Sequence, residues 1–291
     1  MGAFSGEPAA SLRLLSVAES SCRYVSRRSD EELRTRLVEA AREKPRWGYR
    51  RLQVKLEAKG MHVNHKRVYR VYREAGLTIR RKRRKHLLRA GSARPAPTGP
   101  NQEWAADFVH DAAESGRKFR VLSVVDVYTR ECLALEVDTG FPGRRLTRVL
   151  EGILANRTRP LAIRCDNGPE FTSRHFLAWN LERNIEVVHI DPGKPVHNAH
   201  VESFNGRLRE EFLNASWFGN LFEARVKVAA WREEYNEERP HSSLGYLAPQ
   251  EFARRIAALR SPTAPSAPQC EEQKDKELTG KEVMSSGFGV V

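Results

Sequence analysis

The chain has 291 residues and carries 50 Lys and Arg residues against 37 Asp and Glu, a formal net charge of +13. This length suits one large domain or two smaller ones, and no apolar run approaches the roughly 18 residues of a membrane span, so we expect no membrane partner. The four cysteines are far apart and form no CxxC pair, which argues against a disulfide framework and a cysteine zinc site.

The positive charge is concentrated in the first third of the chain. Residues 27–94 hold 23 Lys and Arg against 7 Asp and Glu, or +16, whereas residues 95–291 hold 25 against 28, or −3. Such a polycation attracts polyanions, because neutralised phosphates release their condensed counterions. The distribution therefore predicts a nucleic-acid partner, and a solvated basic surface is the alternative.

After an N-terminal segment at 1–28, residues 29–79 are predicted to form three helices. Apolar residues at helical spacing mark the first helix, and Ser29 with Glu32 has the pattern of a capping box at its start. The second helix begins near Tyr49 and ends near Gly60. Asn64 is predicted to cap the third helix.

The third predicted helix carries cations outside its apolar face, and we expect Lys66, Arg67 and Arg70 to contact DNA. Short helices joined by a glycine turn, with a basic last helix, suit a helix-turn-helix motif in a DNA groove. A small helical bundle with ordinary surface charge is the alternative.

Residues 80–100 are predicted to form a basic arm and a linker. The arm consists of six consecutive cations, which we expect to bind DNA: Arg80, Arg81, Lys82, Arg83, Arg84 and Lys85. Like charges so close together cannot pack, so the arm is expected to lie along phosphates or to be disordered. The prolines that follow break any helix.

From residue 101 the periodicity becomes that of an α/β domain, predicted to extend to residue 260. The predicted strands are 103–109, 119–125, 132–137, 161–166 and 185–190. The predicted helices are 144–156, 173–183, 198–213, 223–234 and 251–259. Three adjacent strands followed by alternating helices and strands indicate a mixed sheet covered by helices. Residues 261–291 lack periodicity and are predicted to be a disordered tail.

Three acidic residues stand in contexts that favour metal-dependent chemistry: Asp107 in an apolar strand, Asp166 at a strand end and Glu202 on a predicted helix. A carboxylate in an apolar strand is costly unless compensated. Three carboxylates together repel one another, so one would hold a proton unless cations were bound. Mg²⁺ prefers oxygen ligands, and two such ions roughly 4 Å apart can activate an attacking oxygen and stabilise a leaving one.

Other candidates for chemistry are weaker. Taken singly, a strand aspartate is more often a turn, capping or ion-pair residue, and we interpret Asp126 as a structural partner of Arg130. Ser203 and Tyr246 could act as nucleophiles only with a base partner, and the sequence indicates none.

Several motifs occur in a characteristic order. They are Asp166-Asn167-Gly168-Pro169-Glu170-Phe171, then Pro192-Gly193-Lys194-Pro195, then Glu202-Ser203-Phe204-Asn205-Gly206, and 35 residues separate Asp166 from Glu202. Together with Asp107 in Trp-x-x-Asp-Phe, they resemble the catalytic core of retroviral integrases and related bacterial insertion-sequence transposases, with its D,D-35-E signature. Upstream, Gly48-Tyr49-Arg50-Arg51 resembles the helix-turn-helix segment in the second-frame product of such elements. The resemblance covers roughly residues 10–258.

The resemblance implies a ribonuclease H-like mixed sheet flanked by helices and preceded by an all-α helix-turn-helix region. It implies a DNA transposase, a polynucleotidyl transferase in which Asp107, Asp166 and Glu202 are catalytic and bind two Mg²⁺ ions, or Mn²⁺ in their place. The reaction would be cleavage at element ends followed by in-line attack of a 3′-hydroxyl on a phosphodiester. The alternatives are a DNA-binding regulator that has lost transposition and a metal-dependent nuclease without joining.

The resemblance also implies the partners, namely double-stranded DNA at element ends and target, and self-association on DNA into at least a dimer. The first-frame product, or a fusion with it, is expected to supply a leading DNA-binding segment. The expected place of action is the bacterial cytoplasm, at the nucleoid. Around the acids, we expect DNA contacts from Lys194, Asn198, Asn205 and Arg209; for Arg209, a surface ion pair is the alternative.

Overall fold

The computed structural model describes residues 29–79, 95–190 and 199–260. The predicted N-terminal segment, basic arm and tail lie outside these ranges, as do the predicted DNA contacts Arg80, Arg81, Lys82, Arg83, Arg84, Lys85, Lys194 and Asn198. Across the three described ranges, no helix is both long enough and apolar enough to span a membrane.

The helical region consists of α1 (Glu31–Glu43), α2 (Tyr49–Ala58) and α3 (His65–Glu74), which confirms the three predicted helices. They pack around one apolar cluster in which Leu37 and Leu52 are fully buried. Gly60, just after α2, has a φ of 84°, a left-handed conformation that glycine adopts without steric cost.

Of the two helix caps predicted from the sequence, one is confirmed and the other is wrong. The side chain of Asn64 accepts the Lys66 N–H at 2.9 Å, so the predicted cap of α3 is confirmed. The predicted capping box of α1 is wrong, because the N-cap is Asp30 and Ser29 Oγ accepts the Glu31 N–H at 3.3 Å instead. Asp30 makes no side-chain cap because its carboxylate binds arginines of α3.

The second region is built on a five-stranded mixed sheet. Its strands are β1 (Glu103–Ala112), β2 (Lys118–Asp126), β3 (Cys132–Asp138), β4 (Ala162–Cys165) and β5 (Glu186–His189), in the order β3-β2-β1-β4-β5. The first three strands pair antiparallel, and β4 pairs parallel with both β1 and β5. This is the predicted ribonuclease H-like sheet.

Helices cover the sheet through two separate apolar clusters. Helices α4 (Gly143–Leu154) and α5 (Arg174–Glu182) belong to one cluster, and α6 (Ala199–Glu211) and α7 (Leu221–Glu237) belong to the other. Short 3₁₀ helices, Leu213–Ala215 and Ser242–Leu244, flank α7, and α8 (Pro249–Arg260) packs against it.

Candidate active site

The alternation of side chains along β1 directs Asp107 towards α6. Trp104 and Ala106 belong to the cluster on the α4 side, whereas Ala105 and Val109 belong to the cluster that includes residues of α6 and α7. Since successive strand residues point to opposite faces, Asp107 shares the face of Ala105 and Val109. The strand therefore presents its carboxylate to the helix that carries Glu202.

Strand pairing brings Asp166 beside Asp107. In the parallel β1–β4 pair, Ala105 lies opposite Arg164, so the same register continued by two residues places Asp107 next to Asp166, directly after β4. One carboxylate oxygen of Asp166 accepts the Gly168 N–H at 3.0 Å. This bond holds the acid in the turn that follows the strand.

Glu202 completes the acidic neighbourhood from the first turn of α6. It lines one pocket of about 280 Å³ together with Asp107, Asn205 and Arg209. Glu202 is exposed, whereas Asp107 is partly buried. The pocket is therefore open to a ligand on the helix side.

The charges of the other two acids act on the pKa of Asp107. Burial, and to a smaller extent the charges of Asp166 and Glu202, raise the pKa of Asp107 to about 6. Hydrogen bonds from the Phe108 N–H and the Asn205 amide, each 2.8 Å long, oppose that rise. Both hydrogen-bonding groups are neutral, so like-charge repulsion among the acids is only partly offset.

Ser123 and Asn205 connect β1, which carries Asp107, to α6, which carries Glu202. The Asn205 Nδ2 donates to Asp107 Oδ2 at 2.8 Å, and the Ser123 hydroxyl lies 2.8 Å from Asn205 Oδ1 and 3.1 Å from the Asp107 carbonyl oxygen. Ser123 is fully buried and Asn205 is 9% exposed. The amide predicted to contact DNA thus hydrogen-bonds to an acid in the structure.

The donor set suits a divalent ion, although the acids are not already arranged around one. Within residues 29–79, 95–190 and 199–260, no group of three His, Cys, Asp or Glu side chains is positioned to hold a metal ion. Each carboxylate oxygen has two lone pairs, and each Asp107 oxygen accepts one protein hydrogen bond. Oxygen donors with spare lone pairs and mutual repulsion fit the requirements of Mg²⁺.

The cations predicted to contact DNA from α3 are placed differently from one another. Lys66 is exposed. Arg67 Nε and Arg70 Nη2 each lie 2.6 Å from one oxygen of Asp30, and the hydrogen bonds from Arg70 and Arg67 hold the pKa of Asp30 below its ordinary value. Two of the three α3 residues predicted to contact DNA, Arg67 and Arg70, are therefore paired with Asp30.

On α6, Arg209 is exposed at the rim of the pocket, and its Nη2 donates to the His110 carbonyl oxygen at 3.0 Å. The alternative expectation was an ion pair with a surface acid. Within the described part of the chain, Arg209 makes no such pair. The guanidinium remains at the mouth of the site.

Asp126 has the structural role predicted for it but with other partners. Its fully buried carboxylate accepts the backbone N–H groups of Asn101, Tyr128 and Thr129 at 2.8–2.9 Å. The predicted partner Arg130 donates only its backbone N–H, to the Asp126 carbonyl oxygen. Its side chain contacts His200 instead.

Reasoning from the sequence missed Ser123 and Asp30. Ser123 is a polar residue in the apolar strand β2, at the position opposite Asp107. That polar interruption is the same signal that identified Asp107, and it could have marked Ser123 as well. Asp30 carries no comparable signal, since an acid before a helix is common.

Comparisons with known proteins agree with this architecture. Two models, each described as an integrase core domain, match residues 97–195 and 183–249, and an HTH-like domain model matches residues 28–85. The chain is 45% identical over 258 residues to the insertion element IS407 uncharacterized 31.7 kDa protein of Burkholderia multivorans, covering 88% of this chain and 92% of that protein.

More distant similarities extend to other proteins. The transposase InsD for insertion element IS2 of Escherichia coli is 29% identical over 241 residues, covering 78% of this chain and 80% of InsD. Among solved structures, the HTLV-2 integrase catalytic core domain in complex with magnesium gives a TM-score of 0.44 at 17% identity, covering 53% of this chain and 97% of that one. With an HTH-like domain ahead of an integrase core and close relatives among insertion elements, the chain belongs to the insertion-sequence transposase family.

Proposed function

We propose that the protein is a Mg²⁺-dependent DNA transposase that cleaves the ends of its element and joins them to target DNA. The observation that carries this proposal is the partly buried Asp107, which lines one pocket with Glu202 and lies next to Asp166 in the register of β1 and β4. Clustered carboxylates repel one another, and bound cations relieve that repulsion. Mg²⁺ is the hard cation whose oxygen ligands and open positions suit phosphate chemistry.

In this proposal Asp107, Asp166 and Glu202 are the catalytic residues and hold two Mg²⁺ ions, or Mn²⁺ in their place. When bound, the ions supply Lewis acidity that activates the attacking oxygen and stabilises the leaving one. The Asp107 carboxylate would be one of the ligands, and Asn205 would keep it oriented. Glu202 would supply the third carboxylate.

One centre can serve both proposed steps, because only the nucleophile changes. Water attacks first and frees a 3′-hydroxyl at the element end. That hydroxyl then attacks a target phosphodiester in line, so the protein forms no covalent intermediate. Lys194, Asn198 and Arg209 are proposed to hold DNA near the acids.

The proposed partners are element ends and target DNA, contacted by α3 and by the basic residues 80–85. Transposition needs two ends held together, so we propose self-association on DNA, into at least a dimer. The product of the first reading frame, or a fusion with it, is the proposed further partner, and the nucleoid is the proposed place of action.

The test is an assay with labelled element ends, target plasmid and Mg²⁺. We expect joined product from the wild-type protein and neither cleavage nor joining from Asp107→Asn, Asp166→Asn or Glu202→Gln, with end binding retained. Asp111→Asn, on the same strand but outside the pocket, is the matched control and should remain active. Cut product without joining would identify a nuclease, bound DNA alone would identify a regulator, and joining by an acid variant would remove that residue from the site.

A further inference from the structure

Two acids on the catalytic core pair with two cations of the helical region. Lys44 Nζ, at the end of α1, lies 2.5 Å from Glu234 Oε1 of α7, and Arg51 Nη1 of α2 lies 3.6 Å from Glu211 Oε1 of α6. All four side chains are partly to largely buried, with exposed fractions between 11% and 31%. The two pairs place both acids on one side of the core, against the helical region.

Within the core, Arg239 fixes the position of the Glu211 carboxylate. Arg239 donates to both of its carboxylate oxygens, from Nε at 2.7 Å and from Nη2 at 2.5 Å, and the Arg239 side chain is only 2% exposed. Burial alone would raise the pKa of Glu211, but hydrogen bonds from Arg239 and the charges of Arg239 and Arg51 lower it below its ordinary value. Glu211 is therefore an ionised and oriented acceptor for Arg51.

We propose that Glu211 and Glu234 form an acidic docking surface for the chain's own helical region, and that this surface sets the position of the DNA-reading helices relative to the catalytic carboxylates. Glu211 and Glu202 lie on the same helix, nine residues apart, or about 13 Å at 1.5 Å per residue. A rigid helix thus connects the docking surface to the active site. The functional part of this proposal rests on the proposed transposase activity.

The charge distribution favours Glu211 and Glu234 over DNA as the partners of Lys44 and Arg51. Residues 27–94 are strongly positive, so carboxylates that face them attract this region and repel DNA phosphates, although Arg239 already offsets part of the charge of Glu211. Lys44 and Arg51 lie outside α3, so docking does not engage the cations of α3. The surface therefore fixes the orientation of the helical region without occupying its recognition helix.

Carbodiimide crosslinking of the full-length protein tests the contact without any activity. Because the Lys44 amine and the Glu234 carboxylate are in direct contact, we expect an amide between them in the monomer band, detected by mass spectrometry and absent from Glu234→Gln. The contacting pair Lys55 and Glu43, between α2 and α1, is the internal positive control. A Lys55–Glu43 crosslink without a Lys44–Glu234 crosslink would overturn the proposed docking.

Charge reversal tests the functional consequence. We expect Lys44→Glu and Glu234→Lys each to reduce end cleavage by roughly three- to tenfold, since partly exposed ion pairs contribute modestly, and the double variant to restore it. End binding should stay unchanged, and Glu233→Lys, an exposed neighbour with the same charge change, should cleave normally. If Lys44→Glu instead weakens end binding and the double variant does not recover, Lys44 is a phosphate contact and the proposal fails. A wild-type protein that is crosslinked but inactive with Mg²⁺ would refute the proposed function and leave the docking intact.

Discussion

The ionisation of Asp107 is expected to lower the stability of the protein at neutral pH. Its pKa is about 6 in the folded protein against 3.8 for an ordinary aspartate, chiefly because of burial. The folded state therefore favours the protonated carboxyl. The stabilisation from this group is fully present below pH 3.8 and is lost as the pH rises through 6.

The size of the effect follows from the pKa difference. About two units, at about 1.36 kcal/mol each, amount to about 3 kcal/mol lost between low and neutral pH. Asp107→Asn removes this loss, but the amide can accept only one of the two hydrogen bonds that Phe108 and Asn205 donate, which costs about 1 kcal/mol. We therefore expect the variant to be about 2 kcal/mol more stable than the wild type above pH 7.

Urea denaturation in EDTA at several pH values measures this difference. With folded and unfolded pKa values of about 6 and 3.8, the stability gain of Asp107→Asn should grow by about 1.4 kcal/mol between about pH 5 and pH 7.5 and then level off. Asp111→Asn controls for the loss of a charge on the same strand. A gain that does not change with pH, or a variant less stable than the wild type at pH 7.5, would refute the reasoning.

Three other variants test further interactions. Ser123→Ala leaves a buried amide oxygen without its donor, so we expect the free energy of unfolding to fall by about 1–3 kcal/mol in urea denaturation; an unchanged value would contradict the hydrogen bond. Asp30→Asn frees the arginines of α3, so DNA binding measured by fluorescence anisotropy should tighten and become more salt-dependent; weaker binding would contradict this. Replacing the cations at 80–85 with glutamine should flatten that salt dependence by about 0.9 for each phosphate that the arm no longer neutralises, and an unchanged slope would mean that the arm binds no phosphates.

Local sequence patterns were sufficient to predict the helices and strands and to identify Asp107 as a candidate site residue. The alternation and spacing of apolar residues predicted every strand and α-helix of the described core to within a few residues, but not the two short 3₁₀ helices, because burial on one face imposes a period on the sequence itself. Asp107 was identifiable for the same reason, since an ionisable group in an apolar strand must serve a purpose that offsets its cost. Charge segregation along the chain separated the basic region from the near-neutral body.

The partners of these side chains depended on the fold. Asn205 reaches Asp107 across 98 positions of the chain and Ser123 across 82, and Arg67 meets Asp30 across 37. A hydrogen bond requires two atoms within about 3 Å in a suitable direction, and side-chain periodicity carries no information about which distant element supplies the second atom. The amide expected on DNA and the arginines expected on phosphates therefore acquired their protein partners only once the sheet register and the packing of α1, α3 and α6 had brought them together.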